Sequence, residues 1–203
     1  MWRSGLGRPQ GESAVSARDA AAVLLLARRD PVVATLLERL PGLALPECHL
    51  AAGCLFQAVW NARLSRPPGW GIRDYDICYF DDADLSWEAE DAAIRRLRAI
   101  TQDLGATIEL RNQARVHLWY PQRFGVPYPA LRGARDGIDR YLVACTCLGV
   151  EVSTGALYAP DGFADLRAGI LRVNGRNQQP ALFLAKARSY RDRWPFLTIA
   201  GNA

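Results

Sequence analysis

Asp74-Tyr75-Asp76 constrains this chain more than any other stretch. The residues that follow, Ile77-Cys78-Tyr79-Phe80, are apolar or aromatic, which predicts a strand buried on both faces. Side chains alternate across a strand, so Asp74 and Asp76 share one face, about 7 Å apart. Two carboxylates at the edge of a hydrophobic core need compensation: one takes up a proton, or a cation holds both. A third carboxylate, Glu109, lies in a second strand-like run, Ala106-Thr107-Ile108-Glu109-Leu110. If the two strands are neighbours, three acidic side chains converge. Such an oxygen-rich set suits Mg²⁺, with positions left for water and phosphate.

The chain of 203 residues suits one domain with a sizeable core. A formal charge of +4 fits an anionic substrate such as a nucleotide and falls short of a polybasic nucleic-acid arm. Five cysteines (Cys48, Cys54, Cys78, Cys145, Cys147) are an odd number at irregular spacing. They read as buried free thiols in a reducing compartment, with no structural zinc, and point to the cytoplasm. No apolar run is long enough to cross a membrane, and no cleavage site follows the short run Ala20 to Ala27.

Along the chain, residues 1–12 read as a disordered start and 13–203 as a single domain. Residues 13–46 form a helical lead-in, with Ser13 or Ser16 as the first cap and Pro31 opening a second helix. Cys48 to Ala52 reads as a strand, followed by Gly53 and a helix from Cys54 to Leu64. A strand, a glycine and then a helix set free backbone N–H groups and the helix dipole where they favour a phosphate. The dipole also suggests a reactive Cys54 thiol, more so than the buried Cys78. Asp84 or Ser86 caps a long helix with Ala89, Ala93, Leu97 and Ile100 as its core stripe. After Glu109, Arg111 and Arg115 are four apart, so a helical turn would set both guanidinium groups beside the acidic cluster to meet phosphates. The alternative is that they pair with the carboxylates in place of a metal. In the last third, a strand pair flanks Ser153-Thr154-Gly155, and Pro180 opens a helix through about Trp194. Lys186 on that helix is either a phosphate ligand or part of a solvated basic face.

Taken together, these parts resemble the polymerase-beta-like nucleotidyltransferase superfamily, whose pattern is a glycine motif, a paired aspartate and a third acidic residue. Ala52-Gly53-Cys54-Leu55, Val59-Trp60-Asn61, Asp74-Tyr75-Asp76-Ile77-Cys78-Tyr79-Phe80-Asp81 and the block Arg111 to Trp119 resemble a bacterial nucleotidyltransferase family within it. Ala159 to Leu166 and Lys186 to Pro195 are similar to later motifs of that group. The resemblance runs from about Cys48 to Pro195. It implies an α/β (α+β) fold with a small mixed sheet, flanking helices, a catalytic core over 47–125 and a C-terminal extension over 126–203.

The resemblance also implies catalytic metal ligands at Asp74, Asp76 and Glu109, with Mg²⁺ or Mn²⁺ as cofactor. It implies nucleotide contacts at Gly53 and Cys54, to which the residue reading adds Arg111, Arg115 and Lys186. Cys54 stands where the superfamily usually has serine, and a thiol is a poor donor to phosphate. The expected activity is transfer of a nucleoside monophosphate from a nucleoside triphosphate to a hydroxyl acceptor (a small molecule, protein or RNA), with release of pyrophosphate. The alternative is an inactive member of the fold that binds a nucleotide or a protein partner.

Overall fold

The computed structural model describes residues 16–201. The expected disordered start and the Ser13 cap lie outside them. Helix α1 (Ala17–Ala27) is broken from α2 (Pro31–Arg39) at Asp30, whose Oδ1 accepts from the Val32 amide at 3.0 Å. Pro31 at the first helical position costs no hydrogen bond there. Ser16 stands at the start of α1, but its side chain makes no capping bond.

Strand β1 (His49–Ala51) leads through Ala52 into α3 (Gly53–Arg63). Strand β2 (Tyr75–Tyr79), helix α4 (Trp87–Thr101) and strand β3 (Ile108–Asn112) then form a unit whose two strands are parallel. Parallel neighbours need such a crossover, and α4 supplies it. Strands β4 (Gly149–Glu151) and β5 (Leu157–Tyr158) complete a five-stranded sheet in the order β3-β2-β1-β4-β5. All of its other pairings are antiparallel, so the sheet is mixed, as expected. Helices α5 (Val116–Phe124), α6 (Ala134–Ile138), α7 (Ala164–Ala168) and α8 (Pro180–Arg193) flank it. Strands β6 (Ile170–Leu171) and β7 (Thr198–Ile199) pair in parallel as a separate ribbon.

α8 is fixed to α3 by aromatic packing. Phe56 and Trp60 on α3 meet Tyr190 and Trp194, with the Trp60 and Trp194 rings 5.3 Å apart. Each such pair contributes about 0.5–1.5 kcal/mol beyond its buried area. Trp194, fully buried, donates from Nε1 to Asn61 Oδ1 at 2.8 Å, so its one polar atom is satisfied. This joint brings Lys186, Tyr190 and Arg193 of α8 to the same cavity as Ala52 and Gly53.

The stripe of α4 differs from expectation at two positions, each displaced by one residue. Ala93 and Leu97 are buried, but Glu90 and Thr101 complete the line where Ala89 and Ile100 were expected. A buried glutamate is tolerated because Arg115 and the Asn112 amide meet it, as described below. All five cysteines are unpaired and buried. Among the described residues, no helix is long and apolar enough to cross a membrane.

Candidate active site

The turn from β1 into α3 is strained. Ala52 has φ 54° and ψ −115°, a region that L-residues rarely enter. Its amide donates to the Leu148 carbonyl at 2.9 Å, and its own carbonyl accepts from Leu55 and Phe56, which locks the bend. Gly53 follows, and a Cβ there would lie 2.9 Å from Gln57 Nε2, so any larger residue would have to push the end of that side chain aside. The result is a helix start whose first amides precede the internal bonds of α3.

Cys54 corrects the sequence reading. Its thiol is fully buried, with Sγ 3.6 Å from the Ala51 carbonyl. Burial, and then the charge of Asp76, push its pKa well above the ordinary thiol value. The expected helix-start activation loses to desolvation, so Cys54 is a small core residue rather than a reactive one.

On β2 the alternation holds. Tyr75 points away from the site into the core and donates to Asp30 Oδ2 at 2.7 Å, while Asp74 and Asp76 both face a cavity of about 470 Å³. The register of β2 against β3 sets Asp76 directly opposite Glu109. The Asp76 carboxyl is raised to about 6, first by burial and then by the charges of Asp74 and Glu109. Lys186 and Arg111 act in the opposite direction. Glu109 itself is exposed and lies 3.4 Å from Arg111, in a half-exposed ion pair. A pair that open contributes about 0–1 kcal/mol and yields readily to a better partner.

Arg115 does not join this group. It reaches back to Glu90 and to the Leu85 carbonyl. Asn112 directs it there: its side chain caps the tight turn Gln113–Arg115 by accepting from the Ala114 amide at 3.1 Å, and its own amide donates to Glu90 Oε1 at 2.8 Å. The turn therefore aims Arg115 inward, to Glu90 on α4, rather than along the cavity.

The cavity brings together Gly53, Asp74, Asp76, Arg111 and Lys186, all of them expected at the site from sequence. It adds Gln57, Arg73 and Arg193, which sequence reading missed. Arg193 lies two turns beyond Lys186 on the same helix and Gln57 one turn beyond Gly53, so extending each helix face would have found them. Burial, and then the neighbouring charge of Arg73, lower the pKa of Arg193. Two guanidinium groups held near each other make this wall suited to an anion. Among the described residues, no three His, Cys, Asp or Glu side chains are placed so as to hold a metal ion together. Asp74 and Asp76, which face the same cavity, nevertheless offer carboxylate oxygens suited to a hard cation, and a cation there would offset the burial and like charge that raise Asp76.

No curated protein matches this chain. A solved structure described as revealing a CCA-adding enzyme head domain is similar in fold, with a TM-score of 0.72 and 21% identity over 92% of this chain and 98% of that one. A model of a nucleotidyltransferase family matches residues 38–199. That match runs through both carboxylate-bearing strands and on to the last helix, and the chain belongs to this nucleotidyltransferase family.

Proposed function

We propose that this protein transfers a nucleoside monophosphate from a nucleoside triphosphate to a hydroxyl acceptor and releases pyrophosphate. One observation carries the reading: β2 and β3 pair in the register that sets Asp76 opposite Glu109, with Asp74 on the same face of β2. The amides at the start of α3, together with Arg111, Lys186 and Arg193, receive the triphosphate. The acceptor oxygen attacks the α-phosphorus, the bond to the bridging oxygen breaks, and pyrophosphate leaves. The exposed Glu109 carboxylate takes the acceptor's proton once Arg111 turns to phosphate. Asp74 and Asp76 would hold Mg²⁺ or Mn²⁺, and Glu109, opposite Asp76 on β3, would join them only after its side chain leaves Arg111. When bound, that ion supplies charge stabilisation at the attacking and leaving oxygens. The five free thiols support a reducing location such as the cytoplasm.

The Glu109–Arg111 ion pair favours a second reading, a nucleotide-binding protein without catalysis. Mass spectrometry separates the two. Incubating candidate small-molecule, protein and RNA acceptors with each nucleoside triphosphate and Mg²⁺ or Mn²⁺ should yield an acceptor heavier by one nucleoside monophosphate. Nucleotide binding with no such product from any pair would favour the second reading.

A further inference from the structure

Gln57 has no task in the scheme above. It is 5% exposed, it lines the cavity, and its Oε1 has no hydrogen-bond partner among the described residues. A buried acceptor without a donor is costly, and such groups are kept where a ligand or water completes them. The cavity wall offers donors on Arg73, Arg111, Arg140, Lys186, Ser189 and Arg193 among others, yet none of them bonds to Gln57 Oε1. Phosphate oxygens carry no proton to give to Oε1. A hydroxyl does.

The sheet order says which substrate brings that hydroxyl. Gln57 lies on α3, after β1, one turn from the helix start at Gly53. Glu109 lies on β3, on the other side of β2. Gln57 therefore lies beside the helix start taken as the triphosphate site and away from the strand that carries Glu109, the acceptor's base. In a nucleotide the sugar adjoins the phosphates. The terminal torsion of glutamine is soft, so its amide turns toward a donor at little cost.

We infer that Gln57 accepts a hydrogen bond from a sugar hydroxyl of the bound nucleoside triphosphate and so selects ribonucleotides over deoxynucleotides. The inference rests on the transferase reading, because it takes the α3 start as the triphosphate site. The removal of a single hydrogen bond should weaken binding on the order of tenfold.

Calorimetric titration of the whole protein with ATP and GTP, and with their 2′-deoxy and 3′-deoxy forms, all with Mg²⁺, tests it. The wild type should bind a ribonucleotide about tenfold more tightly than at least one deoxy form. Gln57→Leu, checked for folding by its melting curve, should bind the ribonucleotide as weakly as that deoxy form and leave deoxy binding unchanged. Equal affinities for all sugars in the wild type would overturn the inference without any variant. So would discrimination that survives in a folded Gln57→Leu. Failure of every nucleotide to bind would overturn the transferase reading as well, which sets that outcome apart.

Discussion

Arg115 pairs with Glu90 inside the fold, their side chains 11% and 9% exposed, although its spacing from Arg111 points to the cavity. The pair joins α4 to the turn after β3 and so holds the strand that carries Glu109. Removing one partner leaves a buried charge unpaired, at about 3–5 kcal/mol. Arg115→Ala should therefore lower stability by that amount in urea unfolding. The double variant Glu90→Met/Arg115→Leu should recover much of it. A loss under about 1 kcal/mol for Arg115→Ala would mean the pair is ornamental.

Asp76 gives the pH dependence. Its folded-state pKa of about 6 lies above the ordinary 3.8, so the folded protein binds this proton more tightly than the unfolded chain. Stability therefore falls as pH rises from about 4 to about 6, and the penalty is complete above that range. A gap of this size corresponds to about 3 kcal/mol. Asp76→Asn should melt several degrees higher than wild type at pH 7, with the gain shrinking toward zero near pH 4. Melting curves at both pH values check it, and equal melting temperatures at pH 7 would refute the cost of a charged Asp76 in this buried, acidic setting.

Ala52 holds a positive φ that glycine adopts freely. Ala52→Gly should stabilise the protein by about 1 kcal/mol, a rise of about 2–4 °C for a chain of this length. A lower melting temperature would show that the bend is held by the methyl group rather than against it.

Burial should protect every thiol. A thiol reagent added to the native protein should modify none of Cys48, Cys54, Cys78, Cys145 and Cys147 quickly, and all five should react once denaturant is present. Rapid native labelling at Cys54 would contradict its place in the core.

Much of the site was legible in sequence because it lies on regular elements. Period-two alternation fixed the shared face of Asp74 and Asp76, and the glycine between strand and helix marked the start of α3. Arg115 was misread because spacing along a chain does not say which way a turn aims, and the Asn112 capping bonds decided that. The buried Glu90 escaped the stripe because burial of a charge depends on a partner, here 25 residues away. Cys54 was misjudged because a helix start lowers a thiol's pKa only where solvent reaches it. Strand β7 escaped because a two-residue strand carries no period.

The most direct measurement is titration of the protein with ATP and GTP, with and without Mg²⁺, for the wild type and for Asp76→Asn. If Asp74, Asp76 and Glu109 hold the ion that meets the triphosphate, the wild type should bind markedly more tightly with the metal, and the variant should lose that gain while its metal-free binding persists. Equal wild-type affinity with and without Mg²⁺, or a metal effect undiminished in Asp76→Asn, would contradict the carboxylate site.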